Sequence, residues 1–349
     1  MMGILKGIAA WLYGIGVGFR NWLYDMNILR SHQMDIPTIC VGNLAVGGTG
    51  KTPVVEFLVR NLSREYCVAV LSRGYRRRTK GYIEVQVGDS YRKVGDEPKQ
   101  IKRKFPEAVV VVCENRIEGV RRIKEEHPEV GLVIMDDGFQ HRSLSPSVSM
   151  LLSDYSLPPY HNKMLPAGTL RDSPSQLYRA SVLIITKTPK NLSPLDRELA
   201  RKELNPSPYQ SVFYTDIKQC EPTPIFSDVA PARIPEGCKV IAFAGIANPD
   251  RFFDSLSQRY TVVDKIVFGD HHNYKVRDIR KIMESLELYG KNVVVVTTEK
   301  DGVKLTSRKY IPERLQRRLF VLPIEINFRD GDSDKLIQKI KNELKDKKI

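Results

Sequence analysis

The sequence NLAVGGTGKTP, residues 43–53, combines a glycine-rich loop with a lysine and a threonine. The preceding TICV has the apolar composition of a buried strand, and the following PVVEFLVRNLSRE has the pattern of a helix. Pro53 falls in the first turn of that helix, where its missing N–H group costs no hydrogen bond. This strand–loop–helix order is typical of a Walker A loop, with Ala45 at the position of the usual first glycine.

A Walker A loop binds the phosphates of a nucleoside triphosphate. Its backbone N–H groups and the positive end of the following helix surround the β- and γ-phosphates. Lys51 adds a positive charge, and the Thr52 hydroxyl is a ligand for Mg²⁺. The predicted nucleotide-binding residues are Ala45, Val46, Gly47, Gly48, Thr49, Gly50, Lys51 and Thr52.

Two adjacent carboxylates end another apolar strand, in VGLVIMDDGFQHR. A Walker B element places an acid at the tip of a strand, beside the phosphate loop and its metal ion. We therefore expect Asp136 and Asp137 to hold Mg²⁺, one of them directly or through water. Strand-end aspartates that cap a turn are the alternative, which explains one acid better than two acids followed at once by GFQHR.

Apolar strands alternate with helical segments along the chain, which at 349 residues suits two domains. Near-continuous apolar runs such as AVVVVCEN and SVLIITKTP are buried on both faces, as in a parallel sheet covered by helices. The sequence predicts an α/β fold: a P-loop NTPase-type parallel-sheet domain, a second, smaller α/β domain and an N-terminal interfacial helix. The expected divisions are the helix over 1–30, the P-loop domain over 31–208, a linker with an extended strand over 209–238, and the C-terminal domain over 239–349.

A basic segment, SRGYRRRTKGYIEVQVGDSYRKVG, lies between the first and third strands. Alternation from Ile83 to Val87 before the turn signal Gly88-Asp89-Ser90 predicts a β-hairpin, so that residues 73–95 form a basic lid hairpin. A solvated loop is the alternative. Because five cations lie close to a phosphate site, we favour a mobile lid over an anionic substrate. Its cations are Arg73, Arg76, Arg77, Arg78 and Lys80.

The N-terminal segment GILKGIAAWLYGIGVGFRNWLYD carries one apolar stripe at helical spacing. Its uncharged run from Gly7 to Phe19 is shorter than the ~20 residues that a membrane span requires. The two tryptophans and flanking cations favour a helix in the membrane interface, and an amphipathic helix packed on the core is the alternative. A formal charge of +14 favours phosphate-bearing partners. Five scattered cysteines without metal-site spacing indicate reduced thiols in a cytosolic setting.

Two further segments, GDEP at 95–98 and FGDHHNY at 268–274, offer groups for acid–base chemistry. Transfer to a hydroxyl requires a carboxylate that accepts its proton, often oriented by a second group. Asp96 with a histidine would serve, but the sequence alone does not pair them. Taken singly, Asp96 is more often a helix cap before Pro98, and His271 or His272 a surface residue.

Eight segments in order resemble the tetraacyldisaccharide 4′-kinase family, the lipid A 4′-kinases of Gram-negative bacteria. The resemblance extends from the first helix to about residue 305. Gly269 is one departure, since many members have Pro before Asp-His. The segments are NLAVGGTGKTP, LSRGYRRRTKG, GDEP, DDGFQHR, LPAGTLRD, AFAGIANPDRFF, FGDHHNY and TTEKD.

The resemblance implies transfer of the ATP γ-phosphoryl group to the 4′-hydroxyl of tetraacyldisaccharide 1-phosphate, forming lipid IVA at the cytoplasmic face of the inner membrane. By that resemblance Asp96 accepts the hydroxyl proton, and His271 of the second domain is the partner of Asp96. Lys51 keeps its role as a cation at the phosphates. Asp136 and Asp137 match the metal-site acids. The other implied active-site residues are Gln140, His141 and Arg171.

The main alternative is a membrane-associated P-loop ATPase of the partitioning or positioning type. Such proteins carry a second lysine just ahead of the Gly-Gly, where this chain has Val46. A nucleic-acid-binding NTPase would suit the charge, but no base-stacking or helix-turn-helix signature accompanies the basic segment. We therefore expect a lipid A precursor and the membrane surface as partners, without nucleic acid and without an obligate protein partner.

Overall fold

A computed structural model describes residues 2–346, which divide into two compact units. Unit 1 comprises residues up to Val87, Ile101–Ile217 and the segment from Ile326 onward, and unit 2 comprises Gly88–Gln100 and Lys218–Glu325. The strands are β1 His32–Gln33, β2 Thr38–Asn43, β3 Val68–Ser72, β4 Ile83–Glu84, β5 Val109–Val112, β6 Leu132–Asp136, β7 Leu144–Ser145, β8 Val148–Asp154, β9 Val182–Thr186, β10 Ser211–Gln219, β11 Thr223–Pro224, β12 Lys239–Ala244, β13 Val262–Val267, β14 Val293–Thr298, β15 Leu319–Leu322 and β16 Ile324–Phe328. The α-helices are α1 Met2–Asp25, α2 Lys51–Leu62, α3 Tyr91–Val94, α4 Asp96–Lys104, α5 Arg116–Glu126, α6 Pro194–Leu204, α7 Asp250–Ser257, α8 Val276–Leu288, α9 Glu299–Gly302, α10 Glu313–Gln316 and α11 Asp332–Asp346.

Unit 1 is built on a nine-stranded sheet in the order β16-β10-β9-β8-β2-β6-β3-β5-β4. Its strands from β10 to β5 in that order run parallel, and β4 pairs with β5 antiparallel. Every residue of β2, β3, β5 and β6 is buried, as expected for strands covered by helices on both faces. The predicted α/β class with a parallel P-loop-type sheet is confirmed. The carboxyl ends of β2 and β6 are neighbours, because Val41 is in register with Asp136.

Unit 2 contains a five-stranded sheet in the order β11-β15-β14-β12-β13. Its strands are parallel except for β11. Alternate residues of β12 belong to different apolar clusters, Ile241 and Phe243 to one and Val240 and Ala242 to the other. Helices therefore cover this sheet on both faces as well.

Helix α1 has one face hydrogen-bonded to the rest of unit 1 and one apolar face in solvent. Tyr13 donates to the Arg171 carbonyl at 3.0 Å, and Arg20 donates to the Gln140 carbonyl at 2.9 Å. Asn21 is buried and donates to Asp172 at 2.7 Å. The exposed face contains Ile4, Leu5, Ile8, Trp11, Leu12, Ile15, Phe19 and Trp22. Within residues 2–346, no helix is both long and apolar enough to cross a membrane.

The two units differ from the expected divisions at three places. The range 209–238 is more than a linker, because it contains β10, which lies inside the nine-stranded sheet. Residues from Ile326 onward, including α11, belong to unit 1 and not with 239–325. Asp96 lies in unit 2 although its sequence position is within 31–208. All three depend on pairing between residues distant in sequence, which local patterns do not encode.

The predicted lid hairpin over 73–95 is wrong in its second half. Ile83 and Glu84 form β4, which pairs with β5 and adds an edge strand to the sheet. After the turn the chain forms helix α3, in which the Arg92 amide donates to the Ser90 side chain. Serine before a helix satisfies an otherwise unpaired N–H group, and this local capping replaces the expected return strand.

Candidate active site

The Walker A residues form an open phosphate cradle between β2 and α2. Gly47 and Gly50 have φ angles of 118° and 87°, which only glycine adopts without strain. Helix α2 begins at Lys51, and no side chain of the described residues caps its N-terminus at Gly50. Its first amides and positive dipole end therefore remain available to an anion. Val46, Gly47 and Gly48 are exposed.

Asn43, the last residue of β2, connects the cradle to its charged neighbours. Its amide group donates to the Thr49 hydroxyl at 2.8 Å, and its side-chain oxygen accepts from Lys51 Nζ at 3.2 Å. The same oxygen accepts from Arg171. Asn43 is fully buried. The sequence analysis did not assign it a role, although its place at the end of a buried strand is a signal that a polar side chain there has a function.

Asp137 is held in an ionised state by two cations. Arg171 contacts both of its carboxylate oxygens, at 2.9 and 2.7 Å, and Lys51 Nζ lies 3.6 Å away. Burial raises the pKa of Asp137, but the Arg171 hydrogen bonds and the Lys51 charge outweigh it and hold the pKa well below its usual range. The structure thus brings together Lys51, Asp137 and Arg171, all three of them predicted site residues.

Asp136 has the opposite environment from its neighbour. Burial and then the negative charge of Asp137 raise its pKa. One carboxylate oxygen accepts from the Ser72 hydroxyl at 3.3 Å, whereas Oδ1 is buried with no hydrogen-bond partner in the described chain. A buried unpaired carboxylate oxygen fits a hard cation, and oxygen ligands are the ones that Mg²⁺ prefers.

The turn after Asp137 is fixed by close packing and by hydrogen bonds. A Cβ atom on Gly42 would lie 2.5 Å from Cβ of Phe139, so only glycine allows this turn against β2. Gln140 donates to the Asn43 carbonyl at 2.7 Å. Burial, followed by the charges of Arg116 and Arg73, lowers the pKa of His141 to about 4. His141 is therefore a neutral imidazole near neutral pH.

Arg116 is a second residue that the sequence analysis did not single out. It is the first residue of α5, capped by Asn115, and its side chain is 1% exposed. It donates to the carbonyls of Cys113 and of Asp136, the latter at 3.3 Å. Among the described residues no carboxylate lies at bonding distance from this buried guanidinium, which is rare, and its positive charge acts on both Asp136 and Asp137. In the sequence, the only sign of a role for Arg116 is its position shortly after an apolar strand, in CENRIEG.

Most of the basic segment is exposed, but Arg77 is not. Its side chain is 2% exposed and pairs with Glu114 at 2.6 Å, and it also donates to the Gly81 carbonyl. The expectation that Arg77 contacts an anionic substrate loses its support, because this guanidinium stabilises the loop itself. Arg76 and Arg78 are exposed, together with Arg73 and Lys80.

A cavity of about 180 Å³ adjoins the phosphate loop at the ends of β8 and β9. Its lining includes Val46, Asn162, Asp154 and Lys187. Lys187 Nζ forms an ion pair with Asp154 at 2.6 Å. This arrangement provides polar groups next to the phosphate cradle.

Asp96 and His271 are joined within unit 2. His271 Nδ1 lies 3.0 Å from Asp96 Oδ2, and the Asp96 side chain is 8% exposed. Burial raises the pKa of Asp96, but the His271 hydrogen bond and the charges of Lys300 and Lys304 bring the pKa below its usual value. Each residue alone had a simpler interpretation from sequence, and the structure pairs them as the resemblance implied.

Comparison with known proteins supports the family that the sequence resembles. The tetraacyldisaccharide-1-P 4'-kinase model matches residues 3–345. A Porphyromonas gingivalis protein named tetraacyldisaccharide 4'-kinase is 40% identical over 331 residues, which are 92% of this chain and 91% of the relative. A Bacteroides thetaiotaomicron protein of the same name is 37% identical over 343 residues, 95% of this chain and 90% of the relative.

A solved structure also matches nearly the whole chain. The crystal structure of LpxK from Aquifex aeolicus in complex with ATP has a TM-score of 0.77 and 28% sequence identity. The match covers 97% of this chain and 99% of that one. Together, these matches over almost the full length establish that the chain belongs to the tetraacyldisaccharide-1-P 4'-kinase family.

Proposed function

We propose that this protein transfers the γ-phosphoryl group of ATP to the 4′-hydroxyl of tetraacyldisaccharide 1-phosphate in lipid A biosynthesis, forming lipid IVA. Membership of the kinase family supports the proposal. The observation that carries it is the 3.0 Å contact between Asp96 and His271. An ATPase that only times a switch needs a phosphate loop but no base for an alcohol, whereas a kinase needs both.

Unit 1 supplies the nucleotide site in this proposal. The amides of residues 45–52 and the start of α2 bind the β- and γ-phosphates, and Lys51 neutralises part of their charge. Arg171 keeps Asp137 ionised, and Asn43 holds both cations in place. The oxygens of Asp136, Asp137 and Thr52 would hold Mg²⁺, which when bound adds positive charge at the phosphates.

Unit 2 supplies the base. The ionised Asp96 carboxylate accepts the proton of the 4′-hydroxyl while the oxygen of that hydroxyl forms a bond to the γ-phosphorus. The bond between that phosphorus and the β–γ bridging oxygen breaks, and ADP leaves with the electron pair. Because the pKa of Asp96 is lowered, the carboxylate is in its proton-accepting form near neutral pH.

We also propose that α1 lies in the surface of the inner membrane at its cytoplasmic face. Its exposed apolar side chains, among them Trp11 at 66% and Phe19 at 60% exposed, would be buried in lipid. The exposed cations of the basic segment suit the substrate 1-phosphate and anionic lipid head groups. The charge of +14 is then explained by lipid and phosphate, without nucleic acid.

The direct test incubates the purified protein with γ-labelled ATP and the disaccharide 1-phosphate in detergent micelles. We expect label in a doubly phosphorylated lipid, and we expect Lys51→Met to lose most of this transfer because it removes charge from the phosphate cradle. Lys291→Met, a change of an exposed lysine, is the matched control. Hydrolysis of ATP with unlabelled lipid would favour the partitioning-type ATPase instead.

A further inference from the structure

Lys300 extends the Asp96–His271 pair into a chain of three groups. His271 contacts Asp96 through Nδ1, and Lys300 Nζ lies 3.2 Å from Nε2 on the other side of the ring. Lys300 is the lysine of α9, in the segment TTEKD to which the sequence analysis assigned no role. All three residues belong to unit 2.

The chemistry of the three groups fixes the position of the ring proton. An ammonium group has only donors, so Nε2 of His271 must present its lone pair to Lys300. The remaining ring proton is then on Nδ1, which donates to the Asp96 carboxylate. The opposite tautomer would direct a lone pair at the carboxylate and an N–H group at the ammonium, and both contacts would be repulsive.

Lys300 is held in place by a rigid local framework. Asp301, the next residue, is fully buried and accepts from the Gly245 amide at 2.8 Å and from the Thr298 hydroxyl. The Gly245 carbonyl in turn accepts from the His271 amide at 3.1 Å. The backbones that carry Lys300 and His271 are therefore bonded to one another through Gly245 and Asp301.

We propose that Lys300 is a positioning residue that fixes His271 as the neutral Nδ1–H tautomer, so that Asp96 is the final acceptor of the hydroxyl proton. This inference rests on the proposed kinase function. The O–H bond of the 4′-hydroxyl breaks and a new O–H bond forms on the Asp96 carboxylate, while His271 keeps its single proton on Nδ1.

Other charges around the pair act in the same direction or lie farther away. Lys304 Nζ is 3.9 Å from Asp96 Oδ2 and is 2% exposed, so it also favours the ionised carboxylate. Asp270 lies 3.9 Å from Nε2 of His271, farther than Lys300. Glu97 is 3.9 Å from Lys300 Nζ and Asp301 is paired with Lys304 at 3.2 Å. Of these groups, the ammonium of Lys300 is the nearest to Nε2.

The tautomer is measurable without any turnover. Nitrogen NMR of the free protein labelled with [¹⁵N]histidine reports which ring nitrogen carries a proton, and His271→Gln identifies the signal among the six histidines. We expect an Nδ1–H ring near neutral pH. In Lys300→Met we expect a measurable share of the Nε2–H ring at the same pH, whereas Lys300→Arg, which keeps a donor, and Lys291→Met should resemble the parent. An Nε2–H ring in the parent, or an unchanged tautomer in Lys300→Met, would overturn the proposal.

Kinetics provide the second arm. Lys300→Met should lower kcat by ~10-fold, a part of the ~10²–10⁴-fold that a general base contributes, with the KM for ATP nearly unchanged. Lys300→Arg, which keeps a donor at this position, should restore most of the loss. Equal kcat values for Lys300→Met and parent would contradict a positioning role. If the parent itself transfers no phosphate to lipid, the proposed function fails, and the NMR result still decides the tautomer.

Discussion

Asp136 and Asp137 are adjacent residues of one type, yet the structure gives them opposite acid–base properties. Arg171 binds Asp137 through two hydrogen bonds, whereas Asp136 is buried with one oxygen unpaired in the described chain. The pKa of the first is lowered and that of the second is raised. Such divergence between neighbouring groups is typical of sites that bind metal ions or move protons. We interpret Asp136 as the carboxylate with an open ligand position.

His141 makes a residue-scale prediction about pH. Its pKa is about 4 in the folded protein against about 6.5 unfolded, so between these values the unfolded chain binds more protons. The folded state therefore loses stability as pH falls from about 6.5 to about 4, by at most ~3 kcal/mol from this residue. In His141→Gln, the free energy of unfolding measured in urea should fall less over this range than in the parent. An identical pH dependence in the two proteins would contradict the assignment.

At the scale of elements, α1 connects the exposed apolar face to the active-site turn. Its inner face donates from Tyr13 and Arg20 to the carbonyls of Arg171 and Gln140. The large apolar side chains of its outer face are 47–71% exposed. An exposed apolar surface of this extent along one face of a helix is typical of helices that lie in a lipid interface.

The outer face of α1 is the basis of an element-scale prediction. Trp11→Ser combined with Phe19→Ser should weaken binding to anionic vesicles by at least ~10-fold, because two aromatic side chains no longer enter the lipid. Vesicle flotation measures this change. Leu195→Ser combined with Leu199→Ser removes two exposed apolar side chains from α6 and should leave flotation intact. Equal flotation of the α1 variant and the parent would exclude this face as the anchor.

Sequence patterns predicted elements well where the signal is local and poorly where it depends on pairing. Helix α1, the Walker A loop and the buried strands follow from periodicity and composition. The return strand of the lid hairpin was wrong because Ser90 caps a helix instead. The place of β10 inside the first sheet, the contact of Asn43 with Arg171 and that of Arg116 with Asp136 result from neighbours distant in sequence. No local pattern contains that information.

At the scale of the whole molecule, the two compact units carry different parts of the chemistry. Unit 1 contains the phosphate cradle with Lys51, Asp136 and Asp137, and unit 2 contains Asp96 with His271. The resemblance had implied that Asp96 and His271 come from separate domains, but contacts group residues 88–100 with 218–325. We therefore predict that changes to the base and changes to the cradle affect separate steps of the reaction.

The comparison of Asp96→Asn with Lys51→Ala tests this account most directly. Single-turnover transfer to lipid and equilibrium binding of ATP are measured on both variants and the parent. Asp96→Asn should lower the rate of transfer by ~10²-fold or more and change the Kd for ATP less than ~2-fold, because only the proton acceptor is lost. Lys51→Ala should impair both. If Asp96→Asn weakened ATP binding as much as Lys51→Ala, or transferred phosphate at the parental rate, Asp96 would not be the base.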